Sequence, residues 1–456
     1  MSDPVPEPRP TNPWWIPRPL LGAIPSVTSA QLSLLGFVAL ALLFENYDFQ
    51  ILNAALPYIA TDLEIDHGRL GYFAGAIRFG GVLGFFLIPF ADWIGRRRLF
   101  LASLVGFSLT TALTALSRTP IEFVCFQLFS RAFMAAGAAV TYVIITEEFP
   151  ARHRGWGVGM LGAVGAMGHG LGAGLFSAVD HLPLGWRALY LIGALPLLAV
   201  PLFRRSVQET RRFRAQPRRV AANAGAALRA WLQPLRDLAA RFPKRTLGVT
   251  LMGFCANISH ASVFVFISLF VLEFHGWRPW QYSIMFIVCG AIGVVGNVVA
   301  GRLGDRVGRR PMAYLFLGLF PAFALLFYSG PGWSLPLAWI LLVFGVMGGN
   351  VTMRALTTEL FPTSYRGTAT GWLFLMEALG GATGGVAVSL LTPGREFSPR
   401  AAILVSTAAF AGALAVRLFP ETSGRELESI SREGAAGGPE VPAGEASLRP
   451  EEPPAS

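Results

Sequence analysis

ADWIGRRR, Ala91 to Arg98, returns as GDRVGRRP, Gly304 to Pro311, which puts Asp92 and Asp305 213 residues apart. A second pair keeps nearly the same offset: FPARHRG from Phe149 and FPTSYRG from Phe361 lie 212 apart. Two independent matches at one spacing mean a duplicated unit. What is duplicated follows from the neighbours, because each basic stretch stands between long apolar runs. These cover about 33–58, 69–91, 99–117, 121–146, 156–178 and 186–203, then about 247–270, 279–300, 312–329, 336–360, 368–391 and 400–418. A span needs roughly 20 apolar residues to cross about 30 Å of hydrocarbon, and each run is close to that length.

Composition agrees. With 53% hydrophobic and 14% charged residues and a mean hydropathy of +0.52, a chain of 456 residues is too apolar for a water-soluble globule. The expected fold is an all-α polytopic membrane protein with twelve transmembrane helices in two six-helix pseudo-repeats. The expected organisation is a Pro-rich disordered tail (1–28), a first half (29–203), a basic linker (204–246), a second half (247–420) and a disordered tail (421–456), whose Gly, Ala, Glu, Pro and Ser cannot bury a core. The tail before residue 29 has no apolar core ahead of a cleavage site, so the first span is expected to direct insertion.

The net charge of +10 is local. From Arg204 to Arg245 twelve Lys or Arg stand against two acids, Glu209 and Asp237, and this segment carries the whole excess. A basic stretch between spans is an orientation signal before it is a nucleic-acid surface. With both termini placed in the cytoplasm, the connecting segments on that side hold 22 Lys or Arg and those on the other side six. The expected orientation has both termini in the cytoplasm, and the expected location is the inner membrane. Cys125, Cys255 and Cys289 sit in apolar runs without ligand spacing, which suggests neither disulfide nor metal. No G-x-x-x-x-GK loop or G-x-S-x-G elbow is present, so the expectation is no enzyme, no cofactor and no ATP. The expected partners are a small-molecule substrate, protons and the bilayer, with the chain acting as a monomer.

Ionisable residues inside the spans carry the functional reading, because charge at that depth is costly and faces a cavity or a partner. At 1.5 Å per residue Asp48 and Arg131 both lie about 22 Å from the cytoplasmic ends of their spans, Arg78, His169 and His260 about 20 Å, Glu45 about 18 Å and Glu377 about 14 Å. They share one layer. An Asp48 carboxylate near Arg131 can couple protonation to release of the arginine for an anionic or hydroxylated substrate, or the two can form a static ion pair between helices. Glu45 is either a partner of Arg78 or a proton carrier. His169 packs or touches ligand, His260 can switch near neutral pH, and Glu377 binds substrate or caps locally. Asn257 and Asn350 add amides. Gly159, Gly162, Gly165 and Gly168 suggest close helix packing.

GRLGDRVGRR, Gly301 to Arg310, resembles the signature loop of the major facilitator superfamily. In the first copy Ile88 and Trp93 depart from that pattern, while Asp92, Gly95, Arg96 and Arg97 keep it. Asn46 to Asp48, Arg131 with Gly137, EEFPARHRG, ELFPTSYRG and PETSGRELESI extend the likeness to the sugar porter and metabolite:proton symporter branches. The fifth span lacks the proline of drug antiporters and the seventh the QQ pair of sugar porters. The resemblance implies a central cavity lined by the first, fourth, seventh and tenth helices, hence by Asp48, Arg131 and His260. It also implies gating by Asp92, Gly95, Arg96, Arg97, Gly301, Asp305, Arg306, Gly308 and Arg309, with Glu148, Arg154, Glu359 and Arg366 in loop salt bridges that hold an outward-open state. The expected function is proton-coupled symport of a small polar metabolite, preferentially an organic acid. The alternatives are a sugar or polyol porter, a proton-linked efflux antiporter, and, in another class, a nontransporting metabolite sensor.

Overall fold

The computed structural model describes residues 25, 27–207, 209, 224–392 and 394–423. The tails expected at 1–28 and 421–456, and residues 208 and 210–223 of the linker, lie wholly or largely outside the described residues. All regular structure among the described residues is helical. Twelve long segments follow in order: α1 (Ser29–Ala54), α2 (Leu70–Phe85), α3 (Arg96–Ala115), α4 (Pro120–Glu148), α5 (Arg154–Phe176), α6 (Trp186–Ser206), α7 (Pro243–Phe274), α8 (Pro279–Val307), α9 (Arg309–Ser329), α10 (Gly332–Glu359), α11 (Arg366–Leu390) and α12 (Pro399–Leu418). Eleven are long and apolar enough to cross a membrane. The exception is α2, whose 16 residues reach about 24 Å. Part of the linker is also helical, at Ala224–Arg241.

The helix starts are written locally. Thr28 and Gln31 form a reciprocal capping box at α1, and Thr119 and Ser398 accept backbone N–H groups at α4 and α12, each followed by proline at the first helical position. Lateral packing relies on glycine. A Cβ at Gly168 of α5 would run into the Leu43 carbonyl of α1, and one at Gly380 of α11 into that of Phe254 in α7. These are corresponding helix pairs in the two copies, drawn together by the same device. Of the expected glycine series, Gly165 and Gly168 meet α1, whereas Gly159 and Gly162 meet nothing and carry no contact.

One face, here called the loop face, carries the two duplicated basic loops. On the opposite, far face a single apolar core joins α1 and α2 to α7, α8 and α10, including Tyr47, Ile51, Phe176, Phe266, Phe270 and Tyr282. Toward the loop face the core divides. One cluster contains only residues up to Val207 and another only residues from Leu238 onward. Polar contacts between the two helix groups show the same bias: Ser268 Oγ donates to the Asn53 carbonyl, Ser283 Oγ to that of Ala173, the Gly68 N–H to that of Arg395, and Gln50 to the Tyr282 hydroxyl. The two helix groups are joined broadly at the far face and, toward the loop face, through a smaller cluster of Val82 and Phe85 on α2 with Leu375 and Met376 on α11.

An ion pair ties the far face. His67 Nδ1 lies 3.0 Å from Glu273 Oε2, with Asp66, Glu396, Arg69 and Arg395 around it. The hydrogen bond to Glu273 raises the His67 pKa, against the opposing pull of partial burial. Because the value is raised in the closed form, the latch is complete below the usual imidazole range and fades as the pH climbs through the raised value. In a protein with its three cysteines replaced, Phe73→Cys beneath this latch is expected to label with an impermeant maleimide about threefold faster at high than at low pH after division by the rate of a free thiol at the same pH, since maleimide reacts with the thiolate. His67→Gln is expected to remove that pH dependence, and a profile that survives the substitution would exclude the latch.

Candidate functional site

The centre of the site is a residue that the sequence reading passed over, Phe49. One helical turn beyond Glu45 on α1, its ring receives the Arg131 guanidinium at 4.4 Å from α4 and that of Arg78 at 5.5 Å from α2, while the His169 ring of α5 lies 5.8 Å away. Two cations on one ring gain from its quadrupole, but they also repel each other, which leaves a strong preference for an added negative charge.

Beside this ring lies a buried polar cluster. Asp48 is wholly buried, and its Oδ1 accepts a hydrogen bond of 3.1 Å from Thr111 Oγ1, which also lies 3.4 Å from Ser130 Oγ. Gln127 donates to Thr114, and Tyr190 completes the wall within electrostatic range of both Asp48 and Arg131. Asp48 Oδ2, Arg131 Nε and Nη2, Gln127 Oε1 and the Tyr190 hydroxyl are all buried without a hydrogen-bond partner. Each such atom costs about 1–3 kcal/mol. A cluster of them in one place is a stability sacrifice of the kind that functional sites make.

Asp48 and Arg131 are therefore neighbours, yet no ion pair within 4.0 Å joins them. Glu45 turns toward Gly137 and Ser103 and is not an ion-pair partner of Arg78. His260 lies apart on α7, its ring 4.8 Å from that of Phe320. Asn257 donates back to its own helix at Gly253, and Asn350 is half-buried on α10. Glu377 Oε1 is buried without a partner on α11. The structure thus gathers Asp48, Arg78, Arg131 and His169, and leaves Glu45, His260, Asn257, Asn350 and Glu377 around them. Thr111, Gln127 and Ser130 carried a legible signal, polar side chains inside apolar spans. Phe49 carried none, being one aromatic among 35 phenylalanines.

The basic loops are built twice to one plan. Gly95 and Gly308 take φ values of 104° and 118°, in the region where a side chain is strained, and so let the chain turn directly into α3 and α9. Arg96 pairs with Glu147 at 3.5 Å, and Arg309 pairs with Glu359 at 3.2 Å and with Asp305 at 2.6 Å. These pairs lie within each helix group. The Arg97 N–H donates to Glu209, and the Arg309 and Arg310 N–H groups donate to Glu421. Glu209 and Glu421 lie 212 apart, a third repeat match that the sequence reading missed. For Glu421 burial pushes the pKa up, but backbone N–H groups of Ser423, Arg309, Arg310 and Thr422 outweigh it and hold the carboxyl below its ordinary range. Each carboxylate also sits at a helix N-terminus, where the dipole favours it. Arg154 donates to the Phe149 carbonyl, Arg366 Nε is buried unpartnered, Glu148 accepts at its carbonyl from Gln31, and Gly301 and Arg306 are free of close packing. The side chain of Asp92 lies outside the described residues. Among the described residues no His, Cys, Asp and Glu group could hold a metal ion.

Residues 38–385 match the family model of the Major Facilitator Superfamily. The chain belongs to that family: it is a multi-pass integral membrane transporter and not an enzyme. It is 26% identical over 450 residues to the gallate transporter of Pseudomonas putida, covering 91% of this chain and 96% of the relative. It is 24% identical over 373 residues to the 3-(3-hydroxy-phenyl)propionate transporter of Escherichia coli K12, covering 79% and 87%. Among solved structures the D-xylose-proton symporter superposes with a TM-score of 0.69 at 18% identity, over 87% of this chain and all of that one.

Proposed function

We propose that this protein is a proton-coupled symporter that takes up an organic acid by alternating access, with an aromatic carboxylate as the best-fitting substrate. The observation that carries the reading is the Phe49 ring flanked by Arg78 and Arg131, with two Arg131 N–H groups buried and unpartnered. A carboxylate supplies the acceptors those donors lack, and charge-assisted hydrogen bonds of this kind are the strong ones. A planar ring on the same ligand can face Phe49. Two relatives are transporters named for aromatic acids, which supports the same chemistry.

The reading includes twelve spans in two halves, 29–203 and 247–420, joined by the basic linker 204–246, with both termini and the loop face in the cytoplasm of an inner-membrane monomer. The described conformation is then the inward-facing one, the proton enters through Asp48, and a gradient rather than ATP drives uptake. A thermal-shift series of the purified protein against gallate, benzoate, xylose and polyols at about pH 5.5 and 7.5 tests it, because a specific ligand raises apparent stability by mass action. Stabilisation by the acids alone is expected. Stabilisation by xylose without the acids would move the protein to a sugar porter, the reading that the solved xylose symporter keeps in view.

A further inference from the structure

One cation in the helices takes no part in the site above. Arg354 lies on α10 five residues before its end at Glu359, about 7.5 Å from the loop face by helix rise, and its side chain is exposed. The guanidinium stands 5.2 Å over the ring of Phe374 on α11. Tyr142 of α4 and Glu377 of α11 are within its electrostatic reach, yet no carboxylate lies within 4.0 Å among the described residues. Arg96 and Arg309, by contrast, are held in ion pairs.

The position is informative because it draws on both helix groups. Tyr142 is 38% and Phe374 47% exposed, so two aromatic faces and a free guanidinium border the opening between the parted groups. Tyr142 is also within reach of Glu45 on α1, which places this region next to the polar core and nearer the loop face. A planar fork beside aromatic faces suits a ring-bearing carboxylate better than an inorganic ion.

We infer that Arg354, with Phe374 and Tyr142, forms a second and weaker carboxylate site on the substrate's route between the Phe49 site and the loop-face opening. This rests on the organic-acid reading. Its exposure keeps the site weak, and a site on a release path must let its ligand go.

The test uses the full-length protein in detergent, with benzoate as the probe and neutral benzamide as the control, each titrated from about 0.01 to 50 mM. Two sites add their stabilisations, so the slope of apparent stability against log concentration doubles once the weaker one fills. The wild type is expected to show both limbs with benzoate and no second limb with benzamide. Arg131→Gln should move the first limb to about a hundredfold higher concentration and leave the second in place, and Arg354→Gln should lose the second and keep the first. Should Arg354→Gln not purify as a monodisperse protein, Arg354→Lys and Phe374→Leu are each expected to move the second limb to about threefold higher concentration. A second limb unchanged in these variants, or a single limb in the wild type, overturns the inference while leaving the organic-acid reading intact. No stabilisation of the wild type by benzoate overturns both.

Discussion

Asp48→Asn is expected to abolish uphill accumulation of acid in proteoliposomes while exchange of labelled for unlabelled acid continues at a measurable rate. Asn keeps the shape of the carboxyl and cannot exchange a proton, so it separates coupling from binding. Asp48 is wholly buried on α1, one oxygen is held by Thr111, and the other has the Gln127 amide nearby but accepts no well-formed hydrogen bond. The unpartnered oxygen is where a proton can be added without breaking an existing contact. Arg131 lies near enough to feel the charge and is not fixed to it, so protonation changes what the guanidinium can bind without first dismantling an ion pair. For one proton per acid, a gradient of one pH unit supports about tenfold accumulation, and the variant should fall to equal concentrations on both sides. An Asp48→Asn protein that still concentrates acid with an unchanged pH profile would remove Asp48 from the proton path.

Arg131→Gln is expected to weaken acid binding by about a hundredfold, the second large effect. Two of its N–H groups are buried without acceptors, and hydrogen bonds from a cation to a carboxylate are worth about 1.5–3 kcal/mol each. Stacking on Phe49 fixes the guanidinium plane, so ligand binding pays little further ordering. Arg131→Lys retains the charge but not the planar fork, and an intermediate loss is expected. Titration of benzoate stabilisation measures both variants. Unaltered affinity in Arg131→Gln would reduce the residue to helix packing and return the site to Arg78 alone.

Much of the fold was legible because membrane spans announce themselves. Apolar runs near 20 residues follow from bilayer thickness, and the duplicated basic loops set the repeat without a third dimension. The same duplication reaches further than the reading took it: Glu209 and Glu421 sit on Arg97 and on Arg309 with Arg310 in matching fashion, and the 212-residue spacing was there to be counted. The site was legible only as a depth. Helix rise puts Asp48, Arg78, Arg131 and His169 on one layer, but depth does not tell which way a side chain turns around its helix axis. Glu45 and His260 share that layer and face elsewhere. Arg354 lay outside the central layer on which the sequence reading concentrated, and nothing in the chain marks its meeting with Phe374.

The amino-acid sequence by itself determined the helical membrane architecture, the internal duplication and the polar residues that enter the apolar layer, because hydrophobic length and charge placement are one-dimensional quantities. Tertiary structure decided which of those residues meet. Helix rotation and glycine-mediated approach bring α1, α2, α4 and α5 together so that one phenylalanine receives two arginines and a histidine. The same packing joins the two groups at the far face in one large apolar core and, toward the loop face, leaves two separate cores bridged by the smaller α2–α11 cluster. That asymmetry depends on contacts between residues hundreds of positions apart, and no local pattern in the chain encodes it.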